Sequence, residues 1–464
     1  MKPRGYQRHV REAVGDERAG RGLDALTAVA ALLLVGAAAV VGTSIERADG
    51  TLHVGWPPLY ASWLPHTGPG TVPATALAVV AVLYGTHLAR ALPWRGLVAA
   101  VWAASVAWTL SLALVDGWRG FTEPLESPYE YPASVDRFGD VGAALRGFTG
   151  HILVGQPDNW PTHVAGHPPG AILTFVALDR VGLGGGAWAG IWCVVVGGSA
   201  AAAVLVALRA LGAERAARSA APFLVLFPGA VWVGASADGY FAAVAAWGLA
   251  LLAVAAAPGA RAPRAAALTA GLLLGWTVYL SYGLVLLAIP AVAVLVCART
   301  ARPLPLAVVG ALSVAAAFTV AGFWWWEGYR LVVERYYQGV AAVRPYGYWV
   351  WANLANAVLA AGIASAAGLR RVLSLLPGEV RSLPRPATGS DTGVVVLLVA
   401  AAFCAISVAD LSGMSKGETE RIWLPFLVWL VPAAALLPHR DRRVWLALQA
   451  AAALLVNHLL RTGW

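Results

Sequence analysis

Residues 116–170 read DGWRGFTEPLESPYEYPASVDRFGDVGAALRGFTGHILVGQPDNWPTHVAGHPPG, with seven acids and three arginines in a chain that is otherwise mostly apolar. Asp136, Asp140, His151, His163 and His167 all fall in this interval. A carboxylate there can take the proton of a hydroxyl as that hydroxyl becomes a nucleophile. A nearby imidazole can carry charge, or donate a hydrogen bond, near neutral pH. Cations for a departing anion are offered by two later polar turns. Residues 324–348 hold Arg330, Arg335 and Arg344 among aromatics suited to stacking on a sugar or resting at lipid headgroups. Residues 410–421 read DLSGMSKGETER and hold Lys416 and Arg421 with Glu418 and Glu420. Interface anchoring is the plain alternative for these cations. A divalent cation is an option where Asp136, Asp140 and His151 or His163 converge, although no spacing here is diagnostic of one.

These side chains need a scaffold, and composition says which. The chain has 464 residues, 59% of them hydrophobic and 12% charged. Soluble domains carry roughly 25% charged residues, so this chain lacks the polar residues to cover itself against water. Several apolar runs reach the roughly 20 residues that span hydrocarbon. The expected fold is all-α, a polytopic transmembrane bundle of about 11–13 spans with a large extracytoplasmic loop carrying interfacial helices. Continuous Ala/Leu/Val runs argue against a membrane barrel.

The 33 basic residues outnumber 24 acids. They gather in short loops, which is the topology signal of membrane proteins. No basic groove interleaved with aromatics appears, so no nucleic acid is expected as partner. Cys193, Cys297 and Cys404 lie in apolar runs and read as packing residues. Residues 1–22 are polar and basic and precede an apolar run too long for a cleaved leader. The expected location is the plasma membrane, multi-pass, with the N-terminus cytoplasmic. The expected layout is a basic segment 1–22, helices over 23–115, an extracytoplasmic loop 116–168, and a bundle over 169–464 with outer turns 324–349 and 410–421. Residues 374–391 read as a cytoplasmic linker.

Within the loop, Phe138, Val141, Leu145, Phe148 and Ile152 recur at steps of three and four. That spacing predicts a helix over 135–152 with its apolar stripe down and Asp136, Asp140 and His151 up. Simple solvation of the upper face is the other reading of those polar residues. His167-Pro168-Pro169-Gly170 reads as a rigid helix start, and its imidazole is placed to hold a lipid phosphate. The apolar run that follows is short and contains Asp179-Arg180, so it reads either as a half-helix that returns to the outer face or as a span with one neighbouring loop on the other side.

An acid opening an interfacial helix, followed about 30 residues on by His-Pro-Pro, resembles the GT-C superfamily of polyprenyl-phosphate-sugar-dependent glycosyltransferases. Protein O-mannosyltransferases carry His-Pro-Pro, and aminoarabinose-type transferases carry Lys-Pro-Pro. Ala237-Asp238 looks like the outer Arg-Pro-Asp turn of those families. The resemblance covers roughly residues 97–300. It implies Asp136 as the catalytic base and His167 as the residue before the proline pair. Asp136-Arg137 stands where the families have Asp-Glu, and Ser236-Ala237 where they have Arg-Pro. The implied partners are a polyprenyl-phosphate sugar, membrane lipid, and an envelope glycan, lipid or protein acceptor. A sugar on a lipid phosphate already has a good leaving group, so one general base and a set of cations suffice for inverting single displacement. A transporter or lipid flippase, or a non-catalytic membrane scaffold, are the competing classes. Transporters place ionisable residues near mid-membrane, whereas here, with Asp179-Arg180 in mid-span as the main exception, they gather at the outer rim.

Overall fold

The computed structural model describes residues 4–234, 236–383 and 391–463, with side chains from residue 20 onward. Its α-helices in chain order are α1 Arg4–Asp49, α2 Thr71–Ala91, α3 Trp94–Ala113, α4 Gly117–Glu126, α5 Val141–Gly147, α6 Thr162–Gly166, α7 Gly170–Arg180, α8 Gly186–Ala210, α9 Glu214–Val225 and α10 Ala237–Ala256. They continue as α11 Pro263–Leu280, α12 Ala288–Ala298, α13 Leu304–Val320, α14 Trp325–Tyr337, α15 Tyr346–Ala361, α16 Ile363–Ser382, α17 Asp391–Leu411, α18 Thr419–Ile422, α19 Leu424–Leu427 and α20 Arg442–Leu459. Two three-residue strands, β1 Ala61–Trp63 and β2 Leu460–Thr462, pair antiparallel and tie an early loop to the segment that follows α20.

Among the described residues, six helical stretches are long and apolar enough to cross a membrane, or eight if each of two bent pairs counts as one span. This is the architecture of a multi-pass membrane protein. The expected 11–13 spans are too many, because several apolar runs form short or interrupted helices. Tyr282–Ala298 and Leu424–Leu436 are short, and α9 carries Pro222 and gives way to a 3-10 turn at Pro228–Trp232. The α13–α14 and α15–α16 pairs bend by 77° and 112°. The second bend sits at Gly362, whose φ of +91° suits only glycine without strain. Buried Gln449 satisfies the freed backbone there: Nε2 donates to Ala361 O at 2.9 Å and Oε1 accepts from Ala364 N at 3.3 Å. A broken helix inside an apolar bundle needs such a substitute partner.

The core is assembled around α8 and α10, which pack on each other, with α3 and α4 against α8 and α11 against α10. Small residues let the helix backbones touch. A Cβ on Gly271 of α11 would lie 1.9 Å from Ala307 O, and one on Gly310 of α13 would lie 2.4 Å from Leu268 O. At one end, buried Asp24 of α1 receives Arg370 and Arg371 of α16, each at 2.6 Å. The arginine-rich turns around Arg90, Arg209 and Arg218 share that end, where Arg218 donates to Ala89 O and Leu92 O. The 116–170 interval lies at the other end.

The α7 helix does not cross. At ~1.5 Å per residue its 11 residues span only roughly 17 Å. Arg180 at its C-terminus donates back to Phe138 O at 3.1 Å and Gly139 O at 3.2 Å. Asp179-Arg180 is therefore not a mid-membrane pair, and α8 starts from the same end as the loop. The stripe Phe138, Leu145, Phe148 and Ile152 is buried as expected. It packs on protein, with Phe138 and Phe148 against Trp160 at 5.6 and 5.3 Å. The single helix expected over 135–152 is instead a 3-10 turn at Tyr131–Phe138, α5, and a second 3-10 turn at Phe148–His151. Glycines at 139, 142, 147 and 150 account for the breaks. The expected linker 374–391 begins as helix up to Ser382, and residues 384–390 lie outside the described residues.

Gly271→Leu should lower thermal stability in detergent, since overpacking a tight contact costs ~1–3 kcal/mol or more. Gly283→Ala, at a site with open space around it, should leave the melting curve in place. Equal melting curves for both variants would contradict the close α11–α13 contact.

Candidate functional site

At the loop-bearing end, side chains from four distant stretches meet around one guanidinium. Arg421 on α18 is 6% exposed. Its Nη1 donates to Asp238 Oδ2 at 2.7 Å, and its Nη2 donates to Glu418 Oε2 at 2.8 Å. Nη2 also donates to His163 Nε2 at 3.3 Å. An arginine only donates, so His163 Nε2 accepts and the imidazole carries its proton on Nδ1. That atom lies 2.7 Å from Glu130 Oε1. The result is a continuous buried polar array, Glu130–His163–Arg421, with Asp238 and Glu418 on the same guanidinium.

Local sequence explains how each member arrives. Glu130 precedes the 3-10 turn at Tyr131–Phe138, and the His163 backbone N–H donates to Tyr129 O at 3.2 Å, joining the two segments. His167 ends α6 because the two prolines after it force extended backbone, φ −128° and ψ 152°. Its Nδ1 sits 2.8 Å from His163 O, so that nitrogen holds the proton. Gly170 opens α7 where a Cβ would lie 2.5 Å from Tyr279 O. Asp238 sits in the first turn of α10, where the helix dipole favours a carboxylate.

The 411–419 turn is held by Asn353 of α15. Asn353 Nδ2 donates to Asp410 Oδ1 at 2.8 Å and Ser415 O at 2.6 Å, while Oδ1 accepts from Gly417 N at 3.3 Å. Arg344 adds its Nη1 to Lys416 O at 2.6 Å and its Nε to Leu52 O at 2.8 Å, and reaches Glu418 Oε1 at 3.6 Å. Glu418 takes a left-handed φ of +60° to do this. A non-glycine residue held there marks a backbone over-determined by its surroundings.

Electrostatics divides the site. Burial works against the Arg421 charge, but Asp238, Glu418 and Glu130 more than hold it, so the guanidinium stays charged. Burial pushes Glu418 up, yet Arg421 and Arg344 hold it below the usual carboxylate range. Burial pushes His167 down to about 4, which makes it neutral at pH 7. The imidazole expected at the proline pair as a cation or a donor is therefore neutral, with its Nδ1 proton committed to His163 O, and the buried charge resides on Arg421. Burial pushes Glu420 up to about 8. It is fully buried, and neither carboxylate oxygen has a hydrogen-bond partner among the described residues.

The expected residues thus divide. His163, Asp238, Arg344 and Arg421 come together, with His167 and Glu420 adjoining in sequence. Asp136 is exposed and makes no hydrogen bond or ion pair among the described residues. Asp140 caps α5, accepting from Ala143 N at 2.9 Å. His151 Nδ1 contacts Pro157 O at 3.0 Å. Lys416 Nζ donates to Ala341 O at 2.9 Å, and Arg335 is half-buried on α14 without an ion pair among the described residues. No three His, Cys, Asp or Glu side chains form a metal-binding group among the described residues, so the expected convergence of Asp136, Asp140 and a histidine does not occur. Sequence reasoning missed Glu130. Among seven acids in the loop, only its place just before Tyr131-Pro132 at a helix start distinguished it.

The pH dependence has a definite sign. Between about pH 4.5 and 8 the folded chain keeps a proton on Glu420 that the unfolded chain has lost, so stability falls as pH rises through that window. His167 acts oppositely: its contribution is present above about 6.5 and lost as pH falls towards about 4. The two slopes oppose each other below about 6.5, and above it Glu420 acts alone. Thermal melts of purified protein should therefore weaken from pH 6.5 to 8, and Glu420→Gln should remove that loss. Parallel pH profiles for the two proteins would refute the assignment.

No protein-family model matches the chain, and no curated protein matches it significantly.

Proposed function

We propose that this chain is an integral membrane glycosyltransferase that moves a sugar from a polyprenyl-phosphate donor to an extracytoplasmic acceptor by inverting single displacement. The observation that carries the reading is the buried Glu130–His163–Arg421–Asp238 array, which lies beside the His-Pro-Pro helix start and at the first turn of α10. It supplies the two things the chemistry requires: a sequestered carboxylate and fixed cations in a water-poor setting.

In this reading the base is Glu130 rather than Asp136. An exposed carboxylate that makes no ion pair among the described residues has neither the shielding nor the fixed orientation that proton abstraction in a transition state exploits. Glu130 is 3% exposed and its Oε1 lies 2.7 Å from His163 Nδ1. The acceptor hydroxyl would lose its proton to Glu130 as its oxygen forms a bond to the sugar's anomeric carbon. The bond from that carbon to the phosphate oxygen breaks, and its electron pair leaves with the lipid phosphate. Arg421 and Arg344 would stabilise the charge that develops there. Neutral His167, with its proton committed to His163 O, leaves Nε2 as an acceptor suited to a sugar hydroxyl.

The test uses the full chain in liposomes with polyprenyl-phosphate-linked hexoses and pentoses, reading released polyprenyl phosphate and transferred sugar. Glu130→Gln should lower turnover by about 10²–10⁴ while the protein still folds and inserts. Asp136→Asn should leave turnover nearly unchanged. The reverse pattern would return the base to Asp136. Absence of transfer from every donor would remove the glycosyltransferase reading.

A further inference from the structure

The end opposite the site holds a second feature that the transfer chemistry does not use. A groove of about 530 Å³ opens between α3, α8 and α10, within the ~300–1,000 Å³ typical of ligand sites. Trp94, Arg95, Val98, Ala99 and Trp102 line it from α3. Their spacing places them on one helical face. Ser199, Ala202 and Val206 form its floor from α8, and Trp247 of α10 closes a side. Small floor residues between large indoles are what leave the space open.

The walls are dry by construction. Trp102 Nε1 donates to Val195 O at 2.8 Å, and Trp247 Nε1 donates to Ser199 Oγ at 3.0 Å. Both indole N–H groups are thus turned onto α8, and apolar ring surface is left to face the groove. One end is different. Trp94 lies under the Arg209 guanidinium at 4.5 Å and near that of Arg218 at 5.8 Å. Arg95 is exposed there and makes no ion pair among the described residues. The nearby acid Glu214 is already engaged by Arg209 at 3.0 Å and Arg218 at 2.8 Å. An apolar slot that ends in uncompensated positive charge, flanked by an indole, has the polarity of one lipid molecule: hydrocarbon, then interface, then anionic headgroup.

We propose that this groove is a binding site for one anionic phospholipid, its acyl chain lying between Trp102 and Trp247 and its phosphate against Arg95 and the Arg209 edge. The site is independent of the transferase reading. A second copy of the chain is the competing occupant, and the test distinguishes it.

The experiment is native mass spectrometry of the full chain released from detergent. It is titrated in turn with phosphatidylglycerol and with phosphatidylcholine of identical chains. One phosphatidylglycerol should be retained in clear preference to phosphatidylcholine. Arg95→Ala should weaken retention roughly fivefold, the weight of one arginine beside an anionic headgroup. Ala99→Trp, at a lipid-exposed position that protrudes into the slot, should weaken retention of either lipid, and the protein's melting curve reports whether it stays folded. Inorganic phosphate at millimolar concentration should not displace the lipid; displacement would mean that only a headgroup-type anion site exists. Equal retention of both lipids, indifference to Ala99→Trp, or a dimer that forms in competition with lipid would each overturn the proposal.

Discussion

A charged guanidinium sealed inside an apolar bundle is the constraint on which the loop-bearing end depends. Removing such an ion from water costs several kcal/mol even after relaxation, and only well-placed opposite charge offsets it. Arg421 meets that demand with Asp238, 183 positions earlier in the chain, and with Glu418, three positions earlier. Each of those carboxylates imposes its own requirement. Asp238 needs the first turn of α10, and Glu418 needs a left-handed backbone that Asn353 and Arg344 pin in place. The histidine that accepts from Arg421 in turn faces Glu130 across 2.7 Å. One buried positive charge thus fixes the relative positions of α6, α10, α15 and α18.

Breaks in the helices follow the same economy of partners. Where α15 gives way to α16, Gln449 takes over the orphaned backbone groups. Where the 411–419 turn leaves α17, Asn353 does so. Both are amides, which offer donor and acceptor together without introducing a charge that would itself need compensation. The two ends of the bundle differ accordingly. The site end gathers carboxylates and a histidine around one buried guanidinium. The other end gathers arginines that sit on helix carbonyls, on indoles and on the few acids available there.

Much of this was legible in the residues and some was not. Low charge and long apolar runs identified a membrane bundle, because solvent choice is a property of composition. The proline pair after His167 marked the start of α7, and the spacing of Phe138, Leu145, Phe148 and Ile152 marked a buried face; both are local signals. The same stripe did not report that four glycines break the helix. Nor does hydropathy distinguish a full span from a short apolar helix buried in protein, which is why the expected span number was too high. The carboxylate singled out in the loop, Asp136, stands in solvent, while Glu130 is buried against His163. Periodicity assigns residues to faces, but it does not say which face a histidine 33 positions away will reach.

The small ribbon formed by β1 and β2 has a consequence for how the molecule is made. Residues 460–462 are synthesised about 400 positions after residues 61–63. At ~5–20 residues per second that interval is roughly 20 to 80 seconds. Throughout that time the hydrogen-bonding edge of the first strand stands uncovered, and an uncovered edge is a template for pairing with another chain. Its three-residue length limits that hazard during translation, and the ribbon acts as a clasp that can fasten only after α20 has been made.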